Sequence, residues 1–272
     1  MSESRYLLGH TESEIRRLVF QSKMLRAITT RLLLSAGIKP GMRVLDLGCG
    51  PGDVSMLVAK LVGPGGSVIG IDRSLAAITI ARKRATDSGL KNVAFSPVSL
   101  ADFTDEGGFD MVTGRYVLMY QPEPTVFLQY AVALLRPAGK LAFHEVDITR
   151  QPVSTPFLPL FDTVCARTLS AFKDALCHHE VAVSLGSLLH SINLTATGVF
   201  CEIPVECGQA VNICRWVGES FCSVYPQTIE IETTGGKKIS TQTLVDELIK
   251  ESHEANAQIE FLRQVCAWGT VS

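Results

Sequence analysis

The chain has 272 residues, of which 46% are hydrophobic and 19% charged. A chain of this length and composition can bury a sizeable core, which excludes wholesale disorder. The formal net charge is −2. Neither half carries the strongly basic charge expected of a nucleic-acid binder, so we expect no nucleic-acid partner.

The apolar runs and the cysteines of the sequence argue against further classes of protein. No stretch reaches the roughly 18–20 apolar residues of a spanning helix, so we expect no membrane span. The first residues lack the charged-then-apolar layout of a signal peptide. The eight cysteines are scattered and form no C-x-x-C pair. This usage indicates reduced thiols and no metal site, and we predict a cytoplasmic location.

The first 150 residues alternate between helical and strand patterns. Thr11 to Glu14 has the form of a capping box, and the helix that it opens should end near Gly37. Predicted strands at 43–47, 67–72, 92–96, 109–113 and 140–146 alternate with predicted helices at 54–61, 74–88 and 123–135, and 137–139 should form a turn. Repeated β–α alternation predicts a parallel, doubly wound sheet.

The pattern changes after residue 150, where prolines interrupt the chain. We expect a helix over 160–175, the end of a helix over 187–192 and a strand over 197–205. Residues 212–255 are predicted to be mostly helical. Residues 261–268 could form a closing strand or a helix, and the pattern favours the strand.

The segment VLDLGCGPGD (44–53), followed by Asp72 at the end of the next predicted strand, is the most informative feature. Glycines let a ligand approach the backbone and the start of a helix, and an acidic residue after the second strand accepts hydrogen bonds from ribose hydroxyls. Asp53 stands where the dinucleotide fingerprint has its third glycine. A carboxylate there would repel a pyrophosphate, which argues against a nicotinamide or flavin dinucleotide, and it suits a ligand with an ammonium group.

Four motifs in order carry a resemblance to a known family: VLDLGCGPGD (44–53), VIGID (68–72), FDMVTGRYVLMY (109–120) and LLRPAGKLAFHE (134–145). With YLLGH (6–10), they resemble class I S-adenosylmethionine-dependent methyltransferases, in particular the small-molecule group related to quinone-biosynthesis methyltransferases. The match covers roughly residues 5–150. The resemblance implies an α/β fold with a Rossmann-like, doubly wound, seven-stranded and mostly parallel sheet. It further implies an N-terminal helical lid (1–40), a cofactor-binding core (41–150) and a segment of cap helices that also completes the sheet (151–272).

The resemblance also implies cofactor contacts. Gly48, Cys49 and Gly50 would lie against the methionine portion of S-adenosylmethionine, and Asp46 would support their loop. The remaining implied contacts are Asp72 with the ribose hydroxyls, Arg73 beside the adenine, the Arg115 carbonyl with the methionine ammonium, and Tyr6 and Gln21 with its carboxylate.

The adenine contact differs from the family pattern. Where the family usually has an Asp after its third strand, this chain has Ser99 followed by Leu100, and Asp102 lies three residues beyond Ser99. Either Ser99 or Asp102 could serve.

Methyl transfer needs a general base only if the acceptor must lose a proton. His144 is the candidate base, because it lies at the carboxyl end of the predicted fifth strand, where doubly wound sheets bind ligands. The alternative is a hydrogen-bonded structural histidine. His10, Tyr116 and Tyr120 could line the acceptor pocket.

The predicted reaction is transfer of a methyl group from S-adenosylmethionine to an oxygen or nitrogen of a small, largely apolar metabolite, which leaves S-adenosylhomocysteine. Carbon methylation of a quinone or polyketide ring stays open, as does a non-methylating reaction on the same fold. A nicotinamide-dependent oxidoreductase is disfavoured by the glycine spacing. The sequence leaves the acceptor and a homodimer open.

Overall fold

The computed structural model describes residues 12–225, 227, 230–232 and 238–272. Its residues fall into two compact units. The sheet unit comprises residues 25–146, 180–201 and 264–272, and the helical unit comprises the described residues within 12–24, 147–179 and 202–263. The three-segment division expected from the sequence stays a prediction.

The described residues form eight α-helices and twelve strands. The helices are α1 (Glu12–Ser35), α2 (Asp53–Val62), α3 (Leu75–Asp87), α4 (Pro124–Ala133), α5 (Pro159–Ala175), α6 (Leu185–Ser191), α7 (Val211–Val224) and α8 (Leu244–Glu254). The strands are β1 (Arg43–Leu47), β2 (Ser67–Asp72), β3 (Val93–Pro97), β4 (Phe109–Arg115), β5 (Leu135–Asp147), β6 (Val153–Thr155), β7 (Thr195–Glu202), β8 (Val205–Cys207), β9 (Glu230–Glu232), β10 (Lys238–Ser240), β11 (Gln258–Glu260) and β12 (Arg263–Thr270). Among the described helices, none is long and apolar enough to cross a membrane.

The sheet unit is built on a seven-stranded sheet in the order β3-β2-β1-β4-β5-β12-β7. The pairs β1–β2, β2–β3, β1–β4 and β4–β5 are parallel. β12 runs opposite to β5, because Lys140 contacts Thr270 whereas His144, further along β5, contacts Gln264. The predicted α/β fold with a seven-stranded, mostly parallel sheet is confirmed.

Burial and capping explain why the first β–α–β unit forms. β1 is buried from Val44 to Leu47, and α2 turns Val58 and Val62 into the core. Full burial of such a side chain contributes about 1.5–3 kcal/mol. The Ser74 Oγ accepts a hydrogen bond from the Ala77 N–H at 3.2 Å and so caps α3, as predicted. α1 begins at Glu12, and Thr11 of the expected capping box lies outside the described residues.

The predicted turn at 137–139 is wrong, because these residues belong to β5. The strand begins at Leu135 rather than at Lys140. Phe109 pairs with Leu135 but Met111 pairs with Lys140, so β5 bulges between the two pairs. Ala138 takes a φ of 60° inside this bulge. A bulge keeps a strand in the sheet despite turn-forming residues.

The helical unit contains strands that the sequence analysis missed. A three-stranded sheet has the order β6-β11-β8, and β9 pairs with β10 between α7 and α8, inside the segment predicted to be mostly helical. The strand predicted over 197–205 ends at Glu202, and Val205 opens β8 in the other sheet. Pro204 separates them, since proline has no N–H for a ladder. The predicted closing strand is confirmed as β12.

Candidate functional site

Three glycines between β1 and α2 have positive φ values, 62° at Gly48, 52° at Gly50 and 85° at Gly52. A Cβ at Gly48 would lie 2.8 Å from a methyl group of Val117, and one at Gly52 would lie 2.9 Å from the Phe95 ring. At Gly50, apart from the glycine and its two chain neighbours, no atom of the described residues lies within 4 Å of that position. Gly48 and Gly52 therefore serve packing, whereas Gly50 faces open space.

Asp72, at the end of β2, is bonded to the glycine loop. Its Oδ2 accepts from the Gly50 N–H at 2.9 Å, and its Oδ1 accepts from the Ser74 N–H at 2.8 Å. The side chain is only half-buried. A carboxylate oxygen can accept more than one hydrogen bond, so both oxygens keep capacity for a ligand hydroxyl.

Asp46 and Cys49 support the loop from inside. Asp46 is buried, and its Oδ2 accepts from the Ser55 hydroxyl on α2 at 2.6 Å. Burial raises the pKa of Asp46 to about 7, against the opposing effects of Ser55 and Arg115. The Cys49 N–H donates to the Ile71 carbonyl at 3.0 Å. Burial holds the pKa of the Cys49 thiol well above its usual range, so this thiol is unreactive.

The two candidates for the adenine contact lie in one turn after β3. The Ser99 hydroxyl donates to Asp102 Oδ2 at 2.6 Å, and the Asp102 N–H donates back to Ser99 Oγ at 3.2 Å. Leu100 between them is nearly buried, while Arg73, after β2, is exposed. The choice between Ser99 and Asp102 is therefore a choice within one hydrogen-bonded pair.

Arg115 is the last residue of β4, and Tyr116 begins a constrained bend directly after it. Tyr116 has a φ of 57°, which costs a non-glycine residue on the order of 1–2 kcal/mol. Two hydrogen bonds hold it: its N–H donates to the His144 carbonyl at 2.9 Å, and its hydroxyl donates to Gln264 Oε1 at 2.5 Å. Strained residues of this kind cluster at functional sites.

His144 lies fully buried in the same network. Its Nδ1 is 3.0 Å from Thr29 Oγ1, and its Nε2 is 3.0 Å from Gln264 Oε1. Because Gln264 Oε1 is an acceptor, Nε2 carries the proton and Nδ1 is left as an acceptor. The single proton of the Thr29 hydroxyl has two acceptors within reach, this Nδ1 and the Leu25 carbonyl at 3.2 Å. Arg115 Nη1 donates to the same threonine at 3.3 Å. Burial, helped by the Arg115 charge, lowers the pKa of His144 to about 3.

This geometry bears on the prediction that His144 is a general base. Both ring nitrogens are engaged with protein side chains, and a low pKa makes the ring a poor proton acceptor. The arrangement favours the alternative of a hydrogen-bonded structural histidine. Thr29 and Gln264, on α1 and β12, were not singled out by sequence, since no motif marks either residue.

Glu145 is a second buried group that the sequence analysis did not assign to the site. Its Oε1 accepts from the N–H groups of Val117 and Leu118, each at 3.0 Å. Its Oε2 is buried without a hydrogen-bond partner among the described residues. Burial raises the pKa of Glu145 to about 8, so the carboxyl is mostly protonated at neutral pH. Glu145 therefore fixes the backbone that follows Tyr116.

Four predicted site residues remain. Gln21 belongs to the helical unit, where its Oε1 accepts from Arg17 Nη1 at 3.0 Å and from Trp216 Nε1 at 2.8 Å. Tyr120 is half-buried and ends a short 3₁₀ turn (Leu118–Tyr120) after β4. Tyr6 and His10 lie outside the described residues. Their predicted roles stay predictions.

Comparison with known proteins identifies similar chains. Residues 38–191 match a family model described as a methyltransferase domain. The chain is 37% identical over 173 residues to nocamycin O-methyltransferase of Saccharothrix syringae, covering 60% of this chain and 58% of that protein. It is 37% identical over 127 residues to a ubiquinone biosynthesis O-methyltransferase of Xanthomonas euvesicatoria pv. vesicatoria, covering 46% of this chain and 49% of that protein. The chain thus spans about half the length of these two relatives.

Structural comparison supports the same fold. The YcgJ protein from Bacillus subtilis superposes with a TM-score of 0.59 at 13% sequence identity, covering 89% of this chain and 97% of that one. Identity this low shows the fold alone.

Proposed function

Because the chain belongs to the methyltransferase-domain family, we propose that it transfers a methyl group from S-adenosylmethionine to an oxygen or nitrogen of a small, largely apolar metabolite. The observation that carries the proposal is the pairing of Asp72 with Gly50. This pairing brings an acidic side chain to a glycine that faces open space at the carboxyl edge of the sheet.

The residues around Gly50 fit S-adenosylmethionine. A ligand can approach the backbone at Gly50, where a side chain would occupy the space. Asp72 keeps acceptor capacity for the two ribose hydroxyls. Asp46, with its Ser55 bond, and the buried Cys49 hold the loop in shape behind that surface.

The implied contacts at the edges of the site are part of the proposal. Ser99 or Asp102, with Leu100 and Arg73, would contact the adenine. Arg115 would offer its carbonyl to the methionine ammonium, while Gln21 and Tyr6 would reach the carboxylate. Tyr116, Tyr120 and His10 would line the acceptor pocket, and residues 1–40 and 151–272 would serve as lid and cap.

S-adenosylmethionine, when bound, supplies a methyl group already activated by a positively charged sulfur. The protein's main task is therefore to hold the acceptor in line, and such positioning can lower a barrier by roughly 7–11 kcal/mol. His144 does not need to accept a proton in this scheme. It serves as a positioning residue that joins Arg115 to Tyr116 through Thr29 and Gln264.

Two related reactions can be distinguished from the proposed one by their products. Carbon methylation of a quinone or polyketide ring would use the same cofactor contacts, and product analysis would identify the methylated atom. A non-methylating reaction would form product without S-adenosylhomocysteine. We further propose a cytoplasmic location, supported by eight cysteines that are scattered along the chain without a C-x-x-C pair.

Calorimetry with S-adenosylmethionine and S-adenosylhomocysteine tests the cofactor site. We expect micromolar binding to the wild type and at least tenfold weaker binding to Asp72→Ala, because each hydrogen bond to a charged group contributes about 1.5–3 kcal/mol. Asp72→Asn, which keeps an acceptor oxygen, should lie between them. Asp87→Ala, an exposed aspartate on α3, is the matched control and should bind normally.

Failure of the folded wild type to bind either compound would overturn the methyltransferase proposal. Normal binding by Asp72→Ala would overturn the assignment of the ribose contact. Once binding is established, S-adenosylhomocysteine formation with candidate acceptors measures turnover.

A further inference from the structure

A buried group of polar side chains links the first half of α1 to α7 within the helical unit. Arg17 donates to Glu14 twice, from Nε to Oε2 at 2.8 Å and from Nη2 to Oε1 at 2.5 Å. The Ser223 hydroxyl, on α7, donates to Glu14 Oε2 at 3.0 Å. Glu14 and Arg17 are both buried. The two charges compensate each other, and the bidentate contact fixes the plane of the Arg17 guanidinium.

Gln21 belongs to this group and lies on the same side of α1, since it follows Arg17 by four residues. Its Oε1 accepts from Arg17 Nη1 at 3.0 Å and from Trp216 Nε1, on α7, at 2.8 Å. Guanidinium and indole nitrogens can only donate hydrogen bonds. The side-chain atom of Gln21 that faces them is therefore its oxygen, and the two bonds fix the orientation of the amide.

This orientation places the amide nitrogen of Gln21 on the other side of the amide carbon. Nε2 makes no hydrogen bond within the part of the chain that the structure describes, although Gln21 is only 6% exposed. Buried polar groups in folded proteins nearly always have a hydrogen-bond partner. Arg17 and Trp216 also polarise the amide through its oxygen, which strengthens its N–H groups as donors. The two N–H groups are therefore suited to acceptor oxygens of a ligand.

The carboxylate is the group of S-adenosylmethionine that matches this pair of donors. Its two oxygens only accept hydrogen bonds, and their negative charge strengthens an N–H···O bond, whereas the ammonium only donates. The ribose hydroxyls and the adenine already have proposed partners, at Asp72 and in the turn that contains Ser99.

Resting on the proposed function, we propose that Trp216 and Arg17 are positioning residues for the cofactor. They hold the Gln21 amide so that its N–H groups bind the carboxylate of the methionine portion, and Glu14 in turn holds Arg17. The family resemblance implied a carboxylate contact for Gln21, but no sequence motif marked Trp216 or Arg17.

Calorimetry with two ligands tests the role of the amide. Decarboxylated S-adenosylmethionine keeps the adenosine, the sulfonium and the ammonium but lacks the carboxylate, so the wild type should bind it at least tenfold more weakly than S-adenosylmethionine. Gln21→Glu keeps an oxygen for Arg17 and Trp216 but replaces the N–H groups with a second oxygen. It should weaken S-adenosylmethionine binding at least tenfold without weakening binding of the decarboxylated compound.

Trp216→Phe and Arg17→Lys test the positioning roles. Trp216→Phe removes the indole N–H but keeps a ring for the edge-on contact with Phe261, whose centroid lies 4.8 Å from that of Trp216. Arg17→Lys keeps the charge beside Glu14 but lacks the fork that reaches both Glu14 and Gln21. In each variant the amide can turn, so the affinity for S-adenosylmethionine should fall by roughly three- to tenfold while that for the decarboxylated compound stays unchanged. A merely structural role would lower both affinities alike.

Controls separate this contact from the ribose contact and from general effects of charge. Gln129→Glu, on the exposed side of α4, is the matched control for Gln21→Glu and should bind both compounds like the wild type. Asp72→Ala should weaken both compounds alike, because both carry the ribose. Thermal melts identify any variant that does not fold, and if Arg17→Lys fails to fold, Trp216→Phe carries the test.

The ratio of the two affinities decides the inference. Equal weakening of both compounds in Gln21→Glu and Trp216→Phe, or no weakening of either, would overturn it. So would a wild type that binds the two compounds equally well. Each of these results leaves the proposed function standing, whereas a wild type that binds neither compound would overturn both.

Discussion

Replacing His144 with glutamine should change how the stability of the protein depends on pH. The imidazole is fully buried between Thr29 and Gln264 and has a pKa lowered to about 3. A glutamine can still donate to Gln264 but has no titratable group. The comparison between wild type and His144→Gln therefore isolates the effect of the proton that the unfolded chain binds at His144 and the folded protein does not.

The sign and size of this pH effect follow from the linkage between proton binding at His144 and unfolding. Above pH 6.5 the imidazole is neutral in both the folded and the unfolded chain, so it adds no pH dependence. Below about pH 6.5 the unfolded chain binds a proton that the folded chain does not bind until about pH 3. The free energy of unfolding then falls by about 1.4 kcal/mol per pH unit, which amounts to about 2 kcal/mol at pH 5.

Urea unfolding at constant ionic strength, from pH 7.5 down to pH 5, measures this effect. The wild type should lose about 2 kcal/mol relative to His144→Gln, whatever offset the substitution causes at pH 7.5. Asp46 and Glu145 titrate in both proteins, so their contributions cancel. Parallel curves would refute the reasoning, because they would mean that the folded protein protonates His144 as readily as the unfolded chain.

Turnover by the same variant separates the two roles of the histidine. If His144 is a general base, His144→Gln should lower the rate of methyl transfer by a factor of roughly 10²–10⁴ and leave cofactor affinity unchanged. A positioning residue acts through the Arg115 and Tyr116 turn, so we expect cofactor affinity to weaken and the pH profile of the rate to keep its shape.

Two other substitutions test buried and open positions of the site. The pKa of Glu145 is raised to about 8, so between about pH 4.5 and pH 8 the unfolded chain loses this proton while the folded protein keeps it, and the free energy of unfolding of the wild type falls as pH rises. In urea unfolding, Glu145→Gln should therefore gain stability relative to the wild type by about 1.4 kcal/mol per pH unit. A constant difference between the two proteins from pH 5 to pH 8 would contradict this. Gly50→Ala should cost about 1 kcal/mol of stability and weaken S-adenosylmethionine binding at least tenfold in calorimetry. Gly37→Ala, with a φ of 88° and equally open space, should cost similar stability without weakening binding, and equal affinity of the two variants would exclude a cofactor at Gly50.

Local signals explain which parts of the fold could be predicted. β1, α2 and β2 follow one another within thirty residues, each marked by an apolar run, a glycine turn or a cap, and their predicted bounds lie within one residue of the observed ones. The bulge at Ala138 could not be seen, because proline and glycine in the same segment predict a turn. The three-residue strands β6, β8 and β11 are too short to show alternation, and they pair over distances of about fifty residues or more.

The same distinction holds for the site. The glycine loop and Asp72 form a motif with a fixed spacing, and the hydrogen bond between Gly50 and Asp72 agrees with it. The partners of His144 are 115 and 120 residues away in the chain, on elements whose polar residues carry no pattern. The strand position of His144 was predictable, but its burial and its bonded nitrogens depend on these distant residues.

The position of β12 in the sheet has a consequence for synthesis. β12 lies between β5 and β7, yet it begins 61 residues after β7 ends, so both neighbours leave the ribosome before it. Until then β5 has an open edge, and such unpaired edges in partly folded chains promote aggregation. Gln264 arrives on the same strand, so His144 and Tyr116 gain their common hydrogen-bond acceptor only when the sheet closes. A nascent chain stalled before residue 263 would therefore already contain the glycine loop and Asp72 but would need chaperone protection at the exposed edge.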